Sequence, residues 1–268
     1  MTLGIVPVLL LLSSGAVVGL TLGLIGGGGS VLAVPLLVYL VGVPSPHVAI
    51  GSSAIAVALN AAWGLSSHAR LGTVKWPCAL VFTAAGAVGA LVGASLGKQI
   101  DGTELLALFG LVMIAIGVYM LTFGPKLTAN DVRLTPESAA YLLPRLIAIG
   151  AGVGLLSGFF GIGGGFLIVP GLVTATGMAL QNAIGTSLVA VTTFGIATAA
   201  SYTTSGLVDW RLAALVIAGG IAGTLIGIRA NVRLASHRRA LAVVFAGVVI
   251  AAGLYVAATG AMTLLAAS

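Results

Sequence analysis

Hydrophobic positions run through this chain in long blocks, and polar residues are confined to short gaps between them. Neither the period-two alternation of a half-buried strand nor the one-sided stripe of a soluble helix governs the pattern. Helices that are apolar all round belong in a bilayer or a large core. Breaks at Gly, Pro and charged residues divide the chain into ten segments. The first half holds roughly 4–25, 30–42, 47–67, 77–97 and 104–123, and the second 140–160, 165–178, 182–203, 212–230 and 240–264. A more polar stretch, 124–138, carries Lys126, Asp131, Arg133, Pro136 and Glu137. The pattern predicts an N-terminal membrane repeat over 1–123, a linker over 124–138 and a C-terminal membrane repeat over 139–268.

The halves match residue by residue. Gly19, Gly23, Gly26 and Pro35 recur 135 positions later as Gly154, Gly158, Gly161 and Pro170. Gly51, Ser53, Gly72 and Trp76 recur 134 positions later as Gly185, Ser187, Gly206 and Trp210. An ordered series at a nearly constant offset marks an internal repeat. Segments 30–42 and 165–178 are short, about 20 Å of helix against a hydrocarbon core of about 30 Å. They either cross as broken helices or fold back as re-entrant hairpins. If both halves run alike, each makes an odd net number of crossings and the repeats are inverted. The expected fold is an all-α polytopic membrane protein of two inverted repeats, each of about five hydrophobic segments, with short broken or re-entrant helices after Gly-rich clusters.

Composition agrees. Of 268 residues, 59% are hydrophobic and 6% charged, where a soluble domain carries about 25% charge; mean hydropathy is +1.23. The first apolar run has no Lys or Arg before it, so it reads as a retained membrane helix rather than a signal peptide. The net charge of +6 is explained by cytoplasmic loops rather than nucleic acid. An inverted arrangement puts nine of eleven basic residues on the cytoplasmic side, including Arg70, Lys75 and the linker, and leaves Lys98 and Arg211 outside. Both termini are then extracytoplasmic. Cys78 is the single cysteine, which excludes an intrachain disulfide and a multi-cysteine metal site.

Two glycine clusters carry the candidate chemistry: GLIGGGGSVLAVP, from Gly23 to Pro35, and GFFGIGGGFLIVP, from Gly158 to Pro170. Glycine runs hold a regular helix poorly. Fresh helical segments starting at Ser30 and Phe166 would present unpaired N–H groups and a positive dipole end, a ready anion site. Glycine-broken apolar segments at matching places of two halves point to a transporter site at mid-membrane, on which both clusters are expected to converge. The expected cradle is Gly26, Gly27, Gly28, Gly29, Ser30, Gly161, Gly163, Gly164, Gly165 and Phe166. Hydroxyls of Ser52, Ser53, Thr186 and Ser187 and the amide of Asn60 add to it, with Gln181 and Asn182 as further polar candidates. His68 and Arg70 are candidates for drawing anions to the inner mouth. The acids Asp101, Glu104, Asp131, Glu137 and Asp209 all fall in loops or at segment ends. With no intramembrane carboxylate to relay a proton, coupling is expected to use the substrate's own proton or its gradient.

The pattern GIGGGFLIVP followed by AIGTSL, Gly161–Pro170 and Ala183–Leu188, resembles the sulfite exporter TauE/SafE family, also called the toluenesulfonate-uptake permeases. The first half carries the looser GGGGSVLAVP and AIGSSA. HARLGTVKW, His68 to Trp76, is similar to the family's loop after the third segment, with Lys75 where an acid is usual; the second half keeps Asp209-Trp210. The resemblance implies transport of small sulfur-containing anions such as sulfite, sulfonates or thiosulfate across a bacterial-type plasma (inner) membrane. The expected partners are a small anionic substrate and lipid, with no nucleic acid, no metal and no cofactor; the oligomeric state is left open. An anion channel using the same half-helices as a filter is the alternative. An enzyme is not expected: Ser157 has no histidine in the membrane segments of its half, and the glycines lack the GK[ST] of a phosphate-binding loop.

Overall fold

The computed structural model describes residues 4–122, 136–161, 165–233 and 238–267, and the regular structure there is helical. The helices are α1 (Ile5–Ile25), α2 (Ala33–Pro35), α3 (Pro46–Arg70), α4 (Trp76–Gly97), α5 (Gly102–Thr122), α6 (Pro136–Phe160), α7 (Gly165–Thr176), α8 (Leu180–Thr204), α9 (Trp210–Arg233) and α10 (Arg238–Ala267). A 3-10 helix, Gly26–Leu32, precedes the single turn α2, and a π turn, Leu36–Leu40, follows it. Among the described residues eight helices are long and apolar enough to cross a membrane. Helix α6 opens on Pro136, whose missing N–H suits a first helical position, so the last residues of the expected linker are helical. The part of the linker with Lys126, Asp131 and Arg133 lies outside the described residues.

Close packing falls between the halves. Along α1, Gly15, Gly19 and Gly23 meet Val216, Gly220 and Thr224 of α9 in ascending order, so the two helices run parallel. A methyl group on Gly19 would overlap the Gly220 carbonyl. The counterpart pair, α4 and α6, shows the same contact: Phe82, Gly86 and Ala90 meet Gly150, Gly154 and Gly158. Lipid is as apolar as a leucine face, so helices in a bilayer associate through small residues that let backbones approach. Gly23 and Gly158, which open the two clusters, and Gly19 and Gly154, one turn before them, are therefore packing residues.

The repeat counterparts α3 and α8 pack antiparallel, Gly51 against Tyr202 and Gly195 against Ala58. So do α5 and α10, where Gly110 meets Gly253 and Ala257 while Gly117 meets Ile250. Antiparallel counterparts are what an inverted repeat requires. Helix α3 runs parallel to α9, with Asn60 at Gly220 and Gly64 at Thr224. Helices α1 and α3 thus point the same way, and the stretch between them has to return the chain across the bundle. Its far end, Val41 to Val43, shares a cleft of 580 Å³ with Pro7 and Leu11 at the start of α1. This short segment crosses rather than folding back. Winding as a 3-10 helix helps: seven residues reach about 14 Å at 2.0 Å each, where an α-helix would reach about 10 Å. Helix α7 has the same task between α6 and α8.

The core lies around α3 and α8. One cluster joins Val18, Val57 and Ala61 to Phe82, Leu172 and Phe194, with Phe82 and Phe194 stacked at 6.4 Å. Charge is divided by end. Arg70, Lys75, Arg229 and Arg233 gather where α3 and α9 finish, while Lys98, Asp101, Glu104, Asp209 and Arg211 lie at the other end.

Candidate functional site

Each glycine cluster opens with a residue in the left-handed region, Gly26 at φ 76° and Gly161 at φ 65°, where a Cβ is costly. A side chain at Gly26 would come within 2.8 Å of Ile184, and one at Gly161 would overlap Ile50. Each cluster therefore docks on the opposite half. Gly26, Gly27, Gly28, Gly29 and Ser30 are wound into the 3-10 helix, so helical structure resumes at Gly26 and not at Ser30. Gly29 folds back against Thr21 and Leu22 of α1, and Ser30 is fully buried. Gly165 and Phe166 open α7; Gly163 and Gly164 lie outside the described residues.

The hydroxyls of the second motif hold the fold across the repeats. Ser52 Oγ accepts the backbone N–H of Asp209 at 2.9 Å, and its counterpart Thr186 Oγ1 accepts that of Lys75 at 3.0 Å. Each hydroxyl satisfies the amide just before the other half's next helix, where no intrahelical acceptor exists. Ser53 and Ser187 donate to the carbonyls of Ile50 and Ile184 at 3.0 and 2.7 Å.

The two clusters meet only past their turns: the 3-10 helix packs on α7, while Gly26 and Gly161 dock near opposite ends of the α3/α8 pair. The Gly51–Tyr202 and Gly195–Ala58 contacts fix the α3/α8 register, which sets Thr186 at the height of residue 67 on α3. Ser52 lies roughly 22 Å away at 1.5 Å per residue. The hydroxyls expected beside the glycine clusters therefore stand at two levels, and the segments that follow the turns are in contact between them. Gly161 with Ser52 and Ser53 forms one cluster at the end with the acids, and Gly26 with Thr186 and Ser187 forms its counterpart at the basic end. The separation follows from antiparallel α3 and α8: equivalent residues near the helix starts are driven to opposite ends.

Midway between the clusters lies Asn60. It is 0% exposed, it packs on Gly220, and neither its Oδ1 nor its Nδ2 has a partner. One turn along α9, buried Thr224 also has an unpaired hydroxyl, as do Thr198 and Ser157 in the other half. A carboxamide offers two donors and a hydroxyl one. Unpaired buried groups are uncommon and call for an explanation. The middle of the bundle thus offers neutral donors, while the described acids stay at the ends.

His68 is buried, with Nδ1 3.0 Å from Thr73 Oγ1 and Nε2 unpaired. Arg70 is exposed. At the start of α8 Gln181 is exposed and Asn182 half-buried. Sequence reasoning passed over Tyr202, a fully buried phenol with an unpaired Oη. Adding the offset of 134 to His68 would have found it. Among the described residues no three of His, Cys, Asp and Glu come together.

The family model for the sulfite exporter TauE/SafE matches residues 11–256. A protein of Xylella fastidiosa (strain 9a5c) is 46% identical over 245 residues, covering 91% of this chain and 93% of its own length. YjnA of Bacillus subtilis (strain 168) is 30% identical, covering 90% and 96%, and YdhB of the same strain 28%, covering 78% and 84%. All three are called probable membrane transporter proteins. No solved structure matches. With almost its whole length matched, the chain belongs to the sulfite exporter TauE/SafE family.

Proposed function

We propose that this protein is a permease for a small anion, with sulfite, thiosulfate or an organosulfonate as the substrate class. The observation that carries the reading is Asn60: a fully buried carboxamide with both ends unpaired, at the height where the two repeats exchange. An oxyanion supplies the acceptors its N–H groups lack, and the absence of a described carboxylate nearby leaves the anion unopposed. The end clusters serve as entry stations on the two faces. At one, backbone N–H groups of Gly26–Ser30 act with Thr186 and Ser187; at the other, those of Gly161–Phe166 act with Ser52 and Ser53. The basic end with Arg70 and Lys75 faces the cytoplasm of a plasma (inner) membrane, and both termini lie outside.

Access alternates by movement between composite bodies. Because α1 packs on α9 and α4 on α6, the bodies that move are α1 with α9 and α4 with α6, not the repeats as wholes. Thermal unfolding of the purified full chain with sulfite, thiosulfate, sulfoacetate, taurine, nitrite or formate tests the reading. A ligand at 100 times its Kd stabilises by about 2.7 kcal/mol, so the true substrate gives a saturable rise in Tm. In liposomes the same anion shows counterflow. Ohmic, non-saturating currents in its place would replace the permease with a channel.

A further inference from the structure

We propose that His68 carries the coupling proton of an anion–proton symport, on Nε2. The inference rests on the permease reading above and adds the co-substrate and its residue. It starts from one hydroxyl. Thr73 Oγ1 lies 3.1 Å from the His68 carbonyl and 3.0 Å from His68 Nδ1. A hydroxyl has a single proton and a carbonyl can only accept, so both contacts are hydrogen bonds at once only when that proton goes to the His68 carbonyl. Towards the ring Thr73 is therefore the acceptor, and Nδ1 carries the N–H. The neutral imidazole then has a bare lone pair on Nε2, buried and without a partner. This pairing selects the tautomer that can take up a proton at the buried position.

The surroundings say when that proton binds. At this end of the bundle α3 contributes Arg70, the following loop and α4 contribute Lys75 and Cys78, and α9 contributes Arg229 and Arg233. Arg70, Arg229 and Arg233 are exposed. Helix α1 has no titratable side chain; α5 brings Tyr119 to this end, and Tyr39 of the crossing segment and Tyr202 of α8 lie at the other. The described carboxylates Asp101, Glu104 and Asp209 belong to the opposite end. A buried imidazolium needs an anion beside it, and here no described side chain supplies one. The substrate is the missing partner. Proton and anion then bind as a pair: a hydrated proton gives H⁺ to Nε2, the new Nε2–H donates to the anion, and both leave on the other side. Tyr202, the repeat counterpart, offers a hydroxyl donor that does not titrate near neutrality, so one end of the path binds a proton and the other does not.

Methanesulfonate and thiosulfate stay fully ionised near neutral pH and carry no proton themselves. With ¹⁵N-labelled histidines in the full chain, His68→Gln identifies the His68 signals among three histidines. The expected neutral ring has its proton on Nδ1, and on acidification Nε2 gains a proton only when an anion is present. A neutral ring with Nε2–H, or protonation indifferent to the anion, overturns the proposal. In proteoliposomes wild-type protein should move about one proton per anion and His68→Gln about none. This ratio survives a merely slower carrier. Thr73→Ser should keep it and Thr73→Val should lower it. Anion uptake and counterflow with no proton movement removes the role of His68 and leaves the permease standing, whereas no anion movement at all removes both.

Discussion

Replacing Asn60 by leucine should make the protein more stable and less able to bind. The side chain has two unpaired polar groups in a fully buried position. Each such group costs about 1–3 kcal/mol, and values measured in bilayer proteins fall at the low end, so about 2 kcal/mol is stored there. Leucine has nearly the same volume and no polar atom. Asn60→Leu should raise Tm by about 4–8 °C, at roughly 2–4 °C per kcal/mol for a chain of this size. A tenfold loss of affinity lowers the stabilisation at a fixed anion concentration from about 2.7 to about 1.4 kcal/mol. Thermal unfolding in detergent with and without the best anion reads both quantities. Asn60→Asp, which puts a carboxylate beside the anion, should show no anion-induced shift. A leucine variant that melts earlier than wild type and keeps the full anion shift would refute the argument, making Asn60 a structural residue.

Gly161→Ala combines a left-handed φ with an overlap on Ile50 and should destabilise by about 2–4 kcal/mol. The double variant with Ile50→Ala should be milder than the sum of the two single losses by about 1 kcal/mol, as measured by chemical unfolding. Ser52→Ala and Thr186→Val each leave one helix-start amide unpaired, at about 1 kcal/mol. Hydrogen exchange should rise about fivefold around Asp209 in the first and around Lys75 in the second, each in the half that was not mutated.

Most of the architecture is legible in the apolar blocks. Span positions such as 77–97 follow from length and composition alone, and the 134-residue offset linking Ser53 to Ser187 gives the repeat. The height of each residue is not legible. Ser52 and Thr186 have the right chemistry for an anion cradle, and only the antiparallel register of α3 and α8 shows that they stand at opposite ends and are engaged with backbone amides. The division of labour within each glycine cluster is not legible for a related reason: Gly23 and Gly158 look like their neighbours in sequence, yet they serve helix packing, and Gly26 and Gly161 make the turn. Asn60 stood among several polar candidates in the sequence. Its distinction, two unpaired groups midway between the levels of Ser52 and Thr186, depends on Gly220, 160 residues away.

The pairing of α1 with α9 constrains the order in which this protein can be made. The glycine stripe of α1, Gly15, Gly19 and Gly23, has as its partner a helix that begins 205 residues after α1 does. At about 5–20 residues per second, the ribosome needs roughly 10–40 s to deliver it. For that interval the newborn first half stands in the bilayer with its tightest interface open, and Ser52 waits for an amide not yet synthesised. Neither half can reach its final packing by itself. Cutting the chain in the linker should therefore give two pieces that need each other at the moment of insertion, so the pace of translation becomes part of how this fold is reached.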